Sequence, residues 1–298
     1  MRLVLAGASG FLGTALRDHL AREGHDVVRL VRGEPVSPHE SRWDAYRGQL
    51  DRSVIESADT VVNLAGASFV HFPFTKSYER TFRDSRVVTT RVLAEAIAAS
   101  DRKPAFLAQN GTDFYGDQGA TVLTEDSPAH DDGTFLHGIT HEWQAATEPA
   151  SDAGARVCVL RTGAVLHRSG GAFAPLYRIF KLGLGGPAGQ GGQYFPTVSL
   201  RDWVRAVTFL AEHDECAGPF NLSGPSPSTN AEFTRVLGRM LHRPTVVRVP
   251  EAPLRAVIPQ LAPELFGSIR AEPARLQEAG FGFEHSTVNE RIAAALTD

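Results

Sequence analysis

The chain has 298 residues, 42% of them hydrophobic and 21% charged, with a formal net charge of −4 at pH 7. That length suffices for a large core in one large or two linked domains, and the profile is that of an ordinary soluble globular protein. There is no basic run and no apolar stretch long enough to span a bilayer, so nothing points to nucleic acid or to an anionic membrane. Cys158 and Cys216 are the only cysteines, which excludes a disulfide framework or a cysteine metal site. The first apolar run is too short for a secretory signal, and a reducing, cytoplasmic setting is expected.

Arg2 to Ala6 is a short apolar run that leads into Gly7-Ala8-Ser9-Gly10-Phe11-Leu12-Gly13. Leu12, Ala15, Leu16 and Leu20 then recur at helical spacing, Gly24 is a natural stop, and a second apolar run ends at Val31-Arg32. Strand, glycine turn, helix and strand in this order place a dinucleotide pyrophosphate on a helix N-terminus. Gly7 permits the tight turn, Gly10 lets the backbone approach phosphate, and Gly13 lets the helix pack closely on the strand.

The end of the second strand selects the cofactor. An acid there holds a ribose 2′-hydroxyl, whereas an arginine grips a 2′-phosphate. Arg32 occupies that end and no acid does, which favours NADP over NAD. The alternative for Arg32 is a solvated loop charge.

Further along, Thr60 to Ala65 reads as a buried strand closed by Gly66. A long helix is expected from about Ser77 to Ser100, with Val87, Val88, Val92, Leu93 and Ile97 on its apolar face. A strand at Ala105–Ala108, a helix over Phe135–Glu148 and a strand at Arg156–Leu160 follow. This alternation implies an α/β fold, a Rossmann-type doubly wound parallel sheet. After residue 165 glycine and proline thicken and the elements shorten. Helices are expected near Asp202–His213 and Asn230–His242, and strands at Phe220–Leu222 and Thr245–Val249. The division expected is a Rossmann NADP-binding domain, 1–165, and a smaller C-terminal substrate-binding lobe, 166–298, that returns partly to the main sheet.

Several segments together resemble one family. They are Gly7 to Gly13, Asn63-Leu64-Ala65-Gly66, Asp84-Ser85-Arg86, Tyr115-Gly116-Asp117, Leu160-Arg161-Thr162-Gly163, Gly183 to Pro187, Asp202, Asn221-Leu222, Arg243-Pro244 and Glu278 to Phe281. This pattern is similar to the extended short-chain dehydrogenase/reductase superfamily. Within it, it resembles the atypical epimerase family proteins of the YfcH type, with a C-terminal DUF1731-like region. The resemblance implies that Phe11 and Leu12 meet the pyrophosphate through backbone N–H groups. It places Asn63, Leu64, Ala65 and Gly66 along the adenosine and Arg161, Thr162 and Gly163 near the nicotinamide. Asn63 and Thr162 have an alternative as simple turn caps.

That superfamily normally pairs a Ser or Thr with a Tyr and a Lys, so that the Tyr hydroxyl moves a proton while hydride transfers. No Tyr-x-x-x-Lys occurs in the corresponding helix, and between Thr134 and Thr147 there is no Tyr and no Lys. His137 and His141 stand four apart there, with Thr112 about 25 positions before His137. Thr112, His137 and His141 are therefore candidates for orienter, acid/base and ribose or relay group. They read alternatively as a turn residue and two histidines on a solvated helix face. Zinc is not expected, because no Glu follows the first His and no third ligand is evident. Tyr115 is a further catalytic candidate, with a packed aromatic as the alternative. Asn110 and Asp113 share its loop and are candidates to bond substrate or the nicotinamide amide.

The resemblance also implies a Trp near Thr197 and a His near Ser199, where this chain has small hydroxyl residues. The stretch Ser68–Lys76, with Phe69, His71, Phe72 and Phe74, is unusually aromatic. It reads equally as a wider apolar pocket or as the contact of a homodimer. The expected function is an NADP(H)-dependent oxidoreductase or epimerase-like enzyme. Its substrate is a small, partly apolar carbonyl or alcohol, with a non-standard acid/base. The alternative is an NADPH-binding sensor or scaffold without turnover.

Overall fold

The computed structural model describes residues 1–69, 71, 73–252 and 262–297. Phe72 of the aromatic stretch lies outside the described residues. The chain opens with β1 (Arg2–Ala6), α1 (Phe11–Arg22) and β2 (Asp26–Val31), followed by β3 (Glu40–Asp44), β4 (Gln49–Leu50) and a short helix α2 (Arg52–Glu56). Next come β5 (Thr60–Asn63), α3 (Lys76–Ala99) and β6 (Ala105–Gly111). A 3₁₀ turn (Thr112–Tyr115), β7 (Val122–Leu123), α4 (Phe135–Ala145), α5 (Glu148–Asp152) and β8 (Val157–Thr162) follow. The last third holds β9 (Ala164–Leu166), α6 (Phe173–Lys181), β10 (Thr197–Ser199), α7 (Leu200–Glu212), β11 (Gly218–Leu222) and α8 (Asn230–Met240), and it ends in the helix Val288–Thr297.

The central sheet runs β11-β8-β6-β5-β1-β2-β3-β4. β1 pairs in parallel with β2 and with β5, and β5 with β6. The chain winds outward from β1 in one direction and then returns to its other side at β5. The order reverses between those two strands, and this is where open α/β sheets bind ligands. The fold is Rossmann-like α/β, as the alternation implies.

Contacts divide the chain into two compact units. One comprises Met1–Asn110, His141–Leu160 and Val204–Pro219; the other comprises Gly111–Thr140, Arg161–Trp203 and Phe220–Asp298. The first is built on Val4, Ala6, Val28, Val61, Phe106 and Ile97, all buried between sheet and helices. The second is centred on Phe173, Phe233, Leu237 and Ile292.

Two local expectations are corrected, and one strand was not foreseen. The buried face of α3 carries Thr89 and Thr90 with Leu93 and Ile97, while Val87 is half-exposed. The hydroxyls take part in a bond network described below. Thr245–Val249 forms no strand; only Val249 bridges, to Ala188. Its amide donates to Pro187 O at 2.9 Å and its carbonyl accepts from Gly189 N at 2.9 Å, so the glycine loop takes the ladder's place. β3 goes unread because its sequence is polar, although Ser41 and Trp43 alternate inward with Arg42 outward. Among the described residues no helix is long and apolar enough to cross a membrane.

Candidate functional site

In the first unit, the turn after β1 is shaped by its glycines. Gly7 has φ +78°, and a Cβ on it would lie 2.5 Å from the Leu64 carbonyl carbon and 2.7 Å from Ala65 N. A Cβ on Gly13 would lie 2.1 Å from Gly7 O. Any side chain at either position drives the helix off the strand or the turn off its neighbour. Gly10 N donates to Gly7 O at 3.0 Å, and Gly10 is exposed. It sits at the N-cap of α1 with no side chain capping the helix. Gly10 has no side chain with which to cap the first turn of α1. Ser9 is exposed on the same turn.

The loop after β5 is fixed from below. Asn63 is fully buried; its Nδ2 donates to Thr90 Oγ1 at 2.9 Å and Thr89 Oγ1 at 3.3 Å. Its Oδ1 accepts from Ala65 N at 3.1 Å. Asn63 thus fixes the loop that sets Leu64 and Ala65 against Gly7 and leaves Gly66 exposed. Trp143 Nε1 donates to Thr90 Oγ1 at 2.9 Å and completes the network.

Arg86 was given no role by its motif, and the structure brings it to this loop. Its guanidinium donates to Phe82 O at 2.9 Å and Ala67 O at 3.1 Å, and lies 3.5 Å from the Phe82 ring centre. A Cβ on Gly66 would come within 3.4 Å of it. Burial pulls its pKa down to about 10. No carboxylate pairs with it among the described residues. The residue type and the exposed glycine in front of it were legible; their proximity was not.

At the end of β2, Arg29 is bound to Glu40 at 2.5 Å, and Glu34 is paired with Arg42. Arg32 is exposed and makes no ion pair among the described residues. The acids nearby are therefore neutralised, and Arg32 is the cation left at the position that reads a ribose 2′ group.

In the second unit, Tyr115 is fully buried. Its hydroxyl donates to Asn221 Oδ1 at 2.7 Å and accepts from Arg161 Nη1 at 2.9 Å. Burial raises its pKa. Arg161 also donates to Glu125 O at 3.3 Å and lies 3.6 Å from the Phe114 ring centre. Glu125, buried and raised in pKa by desolvation, accepts from Asn221 N at 2.9 Å and Arg275 N at 3.2 Å. Tyr115 and Arg161 thereby take part in a buried network, and Tyr115 sits as the packed aromatic of its two readings. Thr162 Oγ1 accepts from Trp203 Nε1 at 3.2 Å, and a Cβ on Gly163 would lie 2.7 Å from Pro196 O.

Thr112 is buried, and its hydroxyl makes no hydrogen bond among the described residues. His137 is 6% exposed, not on a solvated face. Its Nδ1 lies 3.3 Å from Asp113 O. A carbonyl only accepts, so in this contact Nδ1 is the donor. Nε2 lies 3.8 Å from Asp131 Oδ1. A cavity of about 200 Å³ lies in this unit, lined by Asp113, Asp117, Asp132, Thr134 and Phe266 among others. Its three carboxylates give it an acidic wall. His141, one turn along α4, is half-buried, and Asn110 is buried at the end of β6. Among the described residues no group of three His, Cys, Asp or Glu is arranged to hold a metal.

A model of the NAD dependent epimerase/dehydratase family matches residues 3–223. The chain belongs to that family. A second model, the domain of unknown function DUF1731, matches residues 249–295. The resemblance to epimerase family proteins with that C-terminal region therefore holds. An epimerase family protein of Mycobacterium leprae is 39% identical over 298 residues, covering 99% of this chain and 95% of that one. The human epimerase family protein SDR39U1 is 34% identical over 287 residues, covering 95% of each. The crystal structure of human SDR39U1 isoform 2 with NADPH superposes with a TM-score of 0.89 at 32% identity and covers 100% of both chains. A nucleoside-diphosphate sugar epimerase of Corynebacterium glutamicum gives a TM-score of 0.81 at 32% identity over 99% of this chain and 58% of that one.

Proposed function

We propose that this epimerase-family chain binds NADP(H) and acts on a small alcohol or carbonyl substrate, with His137 as acid/base. The observation that carries the nucleotide half is the glycine turn. Gly7 and Gly13 sit where a Cβ would lie within 2.5 Å of backbone, and the helix they lead into lacks a capping side chain. A pyrophosphate fits there, held by the first amides of α1. Arg32 would hold the 2′-phosphate, and Arg86 would give its charge to the dinucleotide past Gly66. The human relative's structure with NADPH supports the same cofactor here. When bound, the dinucleotide supplies hydride donor or acceptor chemistry.

The residues of the second unit supply the proton. Asp113 O fixes the His137 tautomer, and Nε2 takes a proton from an alcohol or, once charged, returns it to a carbonyl oxygen. Thr112 orients that oxygen with its uncommitted hydroxyl. An uncharged substrate suits a cavity walled by Asp113, Asp117 and Asp132, and an anionic one is repelled. The sensor reading draws on the lack of a Tyr and a Lys in α4 and on the burial of Tyr115.

The test is titration with NADPH and NADH followed by a screen of small carbonyl compounds for NADPH oxidation. Binding of NADPH with turnover supports the enzyme. Binding without turnover across the screen favours the sensor, and no binding of either coenzyme overturns both.

A further inference from the structure

The sequence holds no basic run, yet the second unit assembles a basic surface from two separated segments. Residues 169–200 and 233–250 contain six Lys and Arg and no Asp or Glu, in a chain of net charge −4. The cations are Arg178 and Lys181 on α6, Arg235 and Arg239 on α8, and Arg243 and Arg248 beyond it, and all six are exposed. Arg235 and Arg239 are one helical turn apart and share a face. None of the six is paired with a carboxylate among the described residues.

The two segments are interlocked. Arg243 Nε donates to Lys181 O at 2.8 Å, and Arg248 Nη1 donates to Gln190 Oε1 at 3.4 Å. A Cβ on Gly186 would lie 1.5 Å from Val247 O, so the loops touch backbone to backbone. Ile179, Leu182, Leu184, Val246 and Val247 are exposed among these cations, Leu182 at 74% and Val246 at 83%. They make up five of the nine exposed large hydrophobics among the described residues. Scattered apolar side chains need no explanation; a cluster of them ringed by unpaired cations does.

We infer that this corner docks on an anionic lipid bilayer. The apolar side chains are aliphatic, whereas protein interfaces favour aromatic residues and methionine. Three of the five aliphatic groups adjoin a cation in sequence: Ile179 follows Arg178, Leu182 follows Lys181 and Val247 precedes Arg248. Long basic side chains keep their charge at headgroup level while aliphatic neighbours enter the hydrocarbon boundary. A bilayer with acidic lipids offers both environments over one surface.

The experiment is flotation of the full chain with vesicles of phosphatidylcholine and of phosphatidylcholine with phosphatidylserine. Flotation with the phosphatidylserine vesicles alone, reversed by salt, is expected. Arg235→Gln with Arg239→Gln should weaken it by roughly 25-fold, about fivefold per cation. Leu182→Ser with Val246→Ser should weaken it at unchanged charge, and all variants should melt as the parent does. Equal flotation with both vesicle types, no flotation, or either variant pair floating like the parent overturns the inference. So does a dimer broken by Leu182→Ser, or capture of polyglutamate, when no vesicle is bound.

Discussion

The Tyr115 hydroxyl donates to Asn221 Oδ1 at 2.7 Å, across 106 residues of sequence, and accepts from Arg161 at 2.9 Å. Both partners are buried, so neither finds water when the hydroxyl is removed. Tyr115→Phe should cost ~1–3 kcal/mol of stability, the usual penalty for stranding buried polar groups. Turnover of the folded variant should stay within about twofold of the parent, well under the tenfold that 1.36 kcal/mol of barrier represents. Urea denaturation beside a rate measurement decides it. A variant of full stability and lost turnover would make Tyr115 a proton donor after all.

How much of this was legible follows from distance along the chain. The glycine turn is one local stretch, and its residues declare their own backbone needs. Gly7 at φ +78° and Gly13 against Gly7 O sit as the motif requires. Arg86 lies 20 residues past Gly66, and only the packing of α3 brings the two together. Thr89 and Thr90 lie outside the apolar face expected for α3, because their partner Asn63 sits at the end of a strand. Tyr115 shows the converse. Its place after a strand end suggested an open site, and the Asn221 side chain that closes over it comes from β11. The six cations of the basic corner were all readable, but no window along the sequence contains them together.

Arg32 should discriminate between the two coenzymes. Arg29 and Arg42 are occupied by Glu40 and Glu34, so no neighbour is free to replace it. Arg32→Ala should weaken NADPH binding by about tenfold or more, since a charge-assisted contact is worth ~1.5–3 kcal/mol. NADH binding should be unchanged, because it lacks the phosphate. Paired calorimetric titrations read both values, and an unaltered ratio removes Arg32 from the phosphate.

Arg86 should behave differently. Its guanidinium sits behind Gly66, part of the loop that meets Gly7, so it serves what both coenzymes share. Arg86→Gln should weaken NADPH and NADH by similar factors, again about tenfold on the scale of a charge-assisted bond. Gly66→Ala places a methyl against the guanidinium and should mimic the loss. Selective loss of NADPH alone would move Arg86 to the 2′-phosphate, and no loss of either would make it purely structural.

Cys158 gives a prediction on pH. The thiol is fully buried and donates to Cys216 O at 3.1 Å. Burial pushes its pKa from 9.0 up to about 12. The thiolate is the nucleophile, so the folded chain should react with a thiol reagent roughly a thousandfold more slowly than the unfolded chain. Because the folded value is raised, the stability tied to it is whole below about pH 9 and is lost as pH climbs toward 12. Denaturant midpoints across that window should fall for the parent and less for Cys158→Ala. Rapid labelling of Cys158 at neutral pH would show that the strand opens locally.

His137 is the decisive residue for chemistry. It is buried, its Nδ1 faces Asp113 O at 3.3 Å, and no tyrosine or lysine of α4 stands in for it. His137→Ala should cut turnover by 10²–10⁴-fold, the usual worth of a positioned acid or base. His137→Gln keeps an Nε2-like amide in roughly the same volume yet moves no proton, so it should be equally slow. NADPH binding should persist in both, because the nucleotide turn is built from other residues. Rates of both variants beside NADPH titrations carry the distinction. Turnover of His137→Gln within about tenfold of the parent would move the proton to another group and leave His137 a packing residue of α4.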